Sequence, residues 1–176
     1  IYHHKNTSAP ETDLLVLNTD AATTDTNDRW SDEAPTASVF TVGDSSQLNA
    51  SSNTSIAYLW SEKQGFSKFG TYTGNANNDG AFIYLGFKPS FFMVKKTDAT
   101  DDWRMFDNKR PGRNVIDDEL KANENGAEGT GDKMDFLSNG VKFRISTSVN
   151  TSNTFVYMAF AEAPFVNSKG VPANAE

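Results

Sequence analysis

The sequence predicts an all-β protein that holds two copies of one sandwich-type module, the first lacking its beginning. Three observations carry this reading. Thirteen Phe stand among frequent Thr, Val and Tyr, residues that suit a pleated, half-buried surface better than a helix. The apolar runs are short and separated by turn residues, the pattern of sandwiches and barrels. One stretch is also written twice: SSNTSIAYLWSE at 51–62 returns as TSNTFVYMAFAE at 151–162, at a constant offset of 100.

Within the repeat, Ser52, Asn53, Thr54 and Glu62 match Ser152, Asn153, Thr154 and Glu162, while Ile56 meets Val156 and Trp60 meets Phe160. Upstream, IYHHKN at 1–6 resembles MFDNKR at 105–110, with Lys5 opposite Lys109. The second copy also contains GTYTGN, FIYLGF, SFFMVKK and Trp103, which the first copy lacks. Counterparts of the 34 positions 71–104 would precede Ile1. The expectation is therefore a C-terminal part of one module over 1–69 and a second module over 70–176. Ile1 opens in what reads as a strand, so the chain is expected to be a piece of a longer polypeptide. The truncated module would be completed by upstream sequence, by its neighbour or by another subunit, since a sandwich missing core strands exposes an edge and an apolar face.

Taken in order, FIYLGF at 82–87 and SFFMVKK at 90–96 read as strands flanking Lys88 and Pro89. In DDWRMFDNKR at 101–110, Trp103, Met105 and Asp107 fall on one side, Arg104 and Phe106 on the other. KMDFLSNGVKFRI at 133–145 reads as a hairpin whose Asn139-Gly140 supplies the positive φ angles of a tight turn. Its second arm turns Val141, Phe143 and Ile145 inward and Lys142 and Arg144 to water. NVIDDELKAN at 114–123 has a helical look, with Val115, Ile116 and Leu120 placed to make two turns. Segments 20–29, 43–55, 73–80 and 123–132 read as surface loops.

Length and charge bound the function. The 176 residues suffice for one large or two small domains. A net charge of -7 and a pI near 4.8 repel phosphate backbones and anionic lipid, so no nucleic acid partner is expected. No apolar run approaches the roughly 18 residues of a membrane helix, so no membrane insertion is expected. The absence of Cys excludes disulfides and Cys-based zinc sites.

Candidate chemistry is sparse. GNANNDG at 74–80 spaces Asn75, Asn77 and Asp79 as a calcium loop begins. Position twelve of such a loop falls on Gly86, where an acidic ligand should stand, and a turn leading into the next strand explains the same residues. His3 and His4 are the only histidines; on a strand they would point to opposite faces, which argues against joint ligation. No nucleophilic triad can be assembled. The acidic clusters Asp101-Asp102 and Asp117-Asp118-Glu119 lack the closely alternating pattern of laminarinase-type sandwich hydrolases. Glu62 and Glu162 recur at one strand end in both copies, which fits a structural role such as bonding a loop amide. Trp60 and Trp103 sit in apolar strands and are expected to be buried, with Tyr72 and Tyr84 among the other aromatics. Trp30, in TNDRWSDE, is the exposed candidate for stacking on a sugar ring. Sequons at Asn6, Asn49, Asn53 and Asn150 reflect an Asn-, Ser- and Thr-rich chain.

The run IAYLWSEKQGFSKFGTYTGNANNDGAFIYLGFKPSFFMVKK, with FDNKR, DFLSNGVKFR and FVYMAFAEAPFVNSKGVPANA, resembles a repeat family of structural proteins from tailed phages, especially marine ones. Y-T-G-N-x-x-x-D-G and Y-M-A-F-A-E are its most specific strings, and the likeness covers nearly the whole chain. It implies tandem β-sandwich modules of lectin- or concanavalin-like form, with AEAPFVNSKGVPANA at or near the natural C-terminus, and it brings no catalytic residues. The expectation is a non-enzymatic part of the virion exterior, a tail-fibre or head-fibre appendage without cofactor. Its partners would be other virion proteins, copies of itself, and a host-surface glycan or protein. A carbohydrate-binding or carbohydrate-active sandwich using Trp30 and an acidic pair, and a capsid decoration protein, stay open beside it.

Overall fold

A computed structural model describes residues 1–163, leaving aside the side chains of 132 and 133; the expected C-terminal signature beyond 163 lies outside the described residues. The chain is nearly all β. The described residues form ten strands: β1 (Asp13–Leu14), β2 (Thr24–Asp25), β3 (Ser67–Thr73), β4 (Phe82–Tyr84), β5 (Pro89–Lys96), β6 (Arg104–Asp107), β7 (Ile116–Lys121), β8 (Gly129–Leu137), β9 (Gly140–Phe143) and β10 (Thr154–Ala161). β1 and β2 pair with each other, and the other eight form one antiparallel sheet in the order β3-β10-β5-β6-β7-β8-β9-β4. That sheet curls until it is nearly closed like a barrel. At the seam the Lys68 ammonium on β3 donates to the Tyr84 carbonyl on β4, 2.9 Å away.

Alternation along the strands builds the interior. Phe92 and Val94 of β5, Phe106 of β6, Met134 and Phe136 of β8, Val141 and Phe143 of β9, and Phe155 and Tyr157 of β10 point into one buried cluster. Burying each such side chain contributes about 1.5–3 kcal/mol. Tyr72 stacks on Phe155 at 5.0 Å and 8° and its hydroxyl donates to the Val149 carbonyl at 2.6 Å.

The opposite face of β5, β6 and β10 is covered as well. Met93, Trp103 and Val156 pack with Leu15, and residues 1–25 lie across them. The Trp103 indole N–H donates to the Val16 carbonyl at 2.9 Å, and Thr23 N–H donates to the Thr97 carbonyl at 2.8 Å. Lys95 is fully buried there, its ammonium donating to the carbonyls of Asp20 and Lys96 at 3.2 and 2.7 Å. Burial lowers its pKa against the pull of Asp101 and Asp20 upward.

The sequence reading needs four corrections here. Residues 114–123 are not helical: β7 occupies 116–121, because Glu119 finds its partner across the sheet in Arg104 of β6, at 2.8 and 2.9 Å. The hairpin of β8 and β9 forms with Val141 and Phe143 buried, but its loop is Ser138-Asn139, Leu137 pairing with Gly140. Gly140 does not supply a positive φ; a Cβ there would stand 2.1 Å from the Ile83 carbonyl oxygen, so glycine admits β4. Residues 1–6 form turns, not a strand. Finally, 51–62 forms no strand, whereas its counterpart 154–161 is β10.

Candidate functional site

The loop at 74–80, spaced as a calcium loop begins, is a turn held by one buried side chain. Asn75 Oδ1 accepts Asn77 N–H at 3.1 Å, Asn77 Oδ1 accepts Asp79 N–H at 2.9 Å, and Asn75 Nδ2 donates to the Asp79 carbonyl at 3.0 Å. Asn150, wholly buried, organises the whole. Its Nδ2 faces Asn75 Oδ1, the Asn77 carbonyl and the Ile145 carbonyl at 2.7–2.9 Å, and its Oδ1 accepts N–H of Asn75 and Ala81. The Asp79 carboxylate pairs with Lys142 at 2.6 Å, chiefly through a hydrogen bond that lowers its pKa. With the Asn75 and Asn77 side-chain oxygens bound to backbone amides and the exposed Asp79 carboxylate turned to Lys142, the triplet does not converge on a cation. Among the described residues no cluster of His, Asp and Glu could hold a metal.

The two tryptophans exchange the roles expected of them. Trp30 is half-buried, its indole N–H donating to the Asp13 carbonyl at 2.9 Å and its ring meeting Tyr2 edge-on at 5.9 Å. It is a packing residue at the base of the N-terminal segment. Trp60, expected in the core, is 59% exposed. Trp103 is buried as expected, and Tyr84 is exposed with the Lys68 ammonium 5.3 Å above its ring. His3 and His4 lie in a turn, not a strand, and their rings stack at 5.4 Å and 18°. His3 Nδ1 accepts Lys5 N–H at 3.2 Å, so Nε2 carries the proton that goes to the Tyr157 carbonyl at 3.1 Å. Burial, outweighing that carbonyl's pull, lowers its pKa to about 4. Of the sequons, Asn6 and Asn150 are buried.

Three of the clustered carboxylates, Asp101, Asp102 and Glu119, are paired with cations. Asp101 bonds Lys96 at 2.9 Å and Arg104 at 3.0 Å; burial pulls its pKa up, and these cations outweigh it and bring it down. Asp102 holds Lys121 at 2.7 Å and Asn123 at 2.8 Å, with the same net direction. A general acid needs the reverse, a carboxyl raised toward neutrality. Glu162 pairs with Lys88 at 2.7 Å and accepts from Asn108 Nδ2 at 2.6 Å. These residues, with Lys109 and Arg113, rim a cleft of about 360 Å³ over Ile116 and Phe136.

The most unusual surface is the strip at 56–60. Ile56, Tyr58, Leu59 and Trp60 are 78%, 73%, 73% and 59% exposed, and Tyr58 stacks on Trp60 at 6.2 Å. Isolated exposed apolar residues are ordinary, but a contiguous run marks an interaction site. It leads into a turn closed by the Lys63–Ser67 bridge, beyond which Glu62 Oε1 accepts Phe69 N–H on the open edge of β3 at 3.1 Å.

The model of a domain of unknown function, DUF7483, matches residues 1–164. The chain belongs to the DUF7483 family. No curated protein and no solved structure matches it. The DUF7483 match takes in both the strip and the β3 edge, so the two features lie within one family unit. Of the residues that organise these features, the sequence hinted at Glu62 through its recurrence. It gave no sign of Asn150, one Asn in a polar run, or of buried Lys95, whose partners are backbone carbonyls.

Proposed function

We propose that this DUF7483 chain is a structural part of a phage virion, an exterior appendage of tail-fibre or head-fibre kind, built from tandem sandwich-type modules over 1–69 and 70–176. The observation that carries the reading is the strip at 56–60. An appendage subunit presents apolar strips to copies of itself or to neighbouring virion proteins, and four large apolar side chains in five residues are costly to leave in water. The doubled sequence supports the tandem arrangement, and the likeness of GTYTGNANNDG and YMAFAE to phage structural repeats supports the setting. Many copies on one particle would turn weak contacts with a host surface into firm attachment.

Mass spectrometry and immunogold labelling of purified particles test this. Peptides of the chain in the particle, with label on projecting fibres, bear it out; a chain confined to the infected-cell lysate overturns it. Label spread evenly over the head favours the capsid decoration alternative.

A second reading, binding of an acidic carbohydrate, draws on the cleft rimmed by Lys88, Lys109 and Arg113. These are cations in a chain of net charge -7, and Asn108 Oδ1 is buried there with no partner among the described residues. A glycan array enriched in uronate and sialate separates it from a purely structural role.

A further inference from the structure

We propose that residues 54–61 are a donor strand that adds to the open edge of β3 in a second copy of this chain. The inference rests on the structural-module reading above and is independent of the virion setting.

The repeat says what chemistry the strip suits. Its counterpart β10 lies antiparallel between β3 and β5, Phe155 opposite Tyr72 and Met158 opposite Phe69 and Met93. Thr54 to Ser61 keep that strand's character, with Ile56 for Val156, Tyr58 for Met158 and Trp60 for Phe160. A β10-like strand is made to pair with a β3-like strand, and among the described residues this one pairs with none.

Among the described residues one such edge is open: β3 ends the sheet and pairs on one side only, with β10. Along its other side the backbone groups of Ser67, Phe69, Thr71 and Thr73 point outward. Two side chains stand in for ladder bonds at this seam: on β3 the Glu62 carboxylate accepts the Phe69 N–H, and on the facing β4 the Tyr84 carbonyl accepts from the Lys68 ammonium. An edge satisfied by side chains can exchange them for backbone from an incoming strand.

The partner is a second copy and not the same chain. In cis the strip is already joined to β3 through the Lys63–Ser67 turn, yet beyond that bridge 54–61 stays unpaired in the structure. A strand from a second copy meets Thr71 and Thr73 first and displaces the Glu62 carboxylate at Phe69. Each copy carries one donor and one acceptor, so exchange is reciprocal and closes as a two-fold dimer. Two strips bury apolar area on the order of 1,000 Å², the scale a stable interface needs.

Sedimentation velocity of the full chain across micromolar to millimolar concentration tests this, with hydrogen exchange at 54–61. The expected result is a monomer–dimer equilibrium in which amides of 54–61 become protected only in the dimer. Leu59→Pro, in an exposed segment whose change leaves the sheet folded by circular dichroism, weakens association by more than about tenfold because it cannot donate to a ladder. Glu62→Ala, which clears the edge, tightens it. A monomer at every concentration overturns the proposal, as does protection of 54–61 in the monomer, which means closure in cis. A dimer indifferent to Leu59→Pro also overturns it. Failure here leaves the particle-labelling result standing, and failure of the labelling leaves a dimer measured here standing.

Discussion

The carboxylate of Glu62 accepts the backbone N–H of Phe69 at 3.1 Å, at the place on β3 where a neighbouring strand would offer a carbonyl. A side chain is a looser partner than a ladder, so this amide is a sensitive probe. In dilute solution, Glu62→Ala should speed hydrogen exchange at Phe69 by about tenfold, the loss of one hydrogen bond of about 1 kcal/mol or slightly more. Exchange at Tyr72, whose pairing is with Phe155 of β10, should not change.

Gly140 gives a prediction that separates space from backbone conformation. Gly140→Ala should cost about 3 kcal/mol or more in denaturant unfolding, because its Cβ would meet the Ile83 carbonyl oxygen at 2.1 Å. Gly140→Asn should be no better, although Asn tolerates positive φ. At Gly112 the opposite holds: φ is +72° with nothing within 4 Å, so Asn there should cost under about 1 kcal/mol.

Asn150→Ala should destabilise by about 2–4 kcal/mol, since it empties a wholly buried site and takes the partner from the amides of Asn75 and Ala81 and from the Ile145 carbonyl. Asp79→Ala should cost under about 1 kcal/mol, its side chain being 83% exposed. Adding millimolar calcium, or removing it with chelator, should leave Tm unchanged in scanning calorimetry. A calcium-dependent rise abolished by Asp79→Ala would restore the metal reading.

His3 predicts a pH dependence. Its folded pKa of about 4 lies below the free value of 6.5, so between these values the unfolded chain binds the extra proton. The contribution is full above about pH 6.5 and is lost as pH falls toward 4. Protonating Nδ1 also removes the acceptor for Lys5 N–H. Tm should therefore fall more steeply over this window in the native chain than in His3→Gln, whose amide stays neutral.

How much could be read from sequence depended on whether the partners of a segment were local. The β8–β9 hairpin was legible because its arms alternate and its partner strand is next in the chain. The 114–123 stretch was not, because Glu119 is drawn into a strand by Arg104, fifteen residues earlier. The repeat pointed to a strand at 51–62 with Trp60 inside, but no strand forms there, and so Trp60 lies open while Trp103 is covered. Trp30 was misjudged for the converse reason: its polar neighbours are exposed, yet its own indole reaches the Asp13 carbonyl. The Asn triplet was readable as a turn from spacing, whereas its anchor Asn150 lies more than seventy residues away.

β10 is the last of the described strands in chain order, yet it sits in the interior of the sheet between β3 and β5. The strand in that slot has a look-alike earlier in the chain, 54–61, and core fit tells the two segments apart. Where β10 turns Phe155, Tyr157, Ala159 and Ala161 inward, the earlier segment offers Ser55, Ala57, Leu59 and Ser61, with no aromatic ring to meet Tyr72 and Phe92. Placed in that slot, the earlier segment would leave a void that β10 fills, so the inward face of β10 is what reserves the position for it.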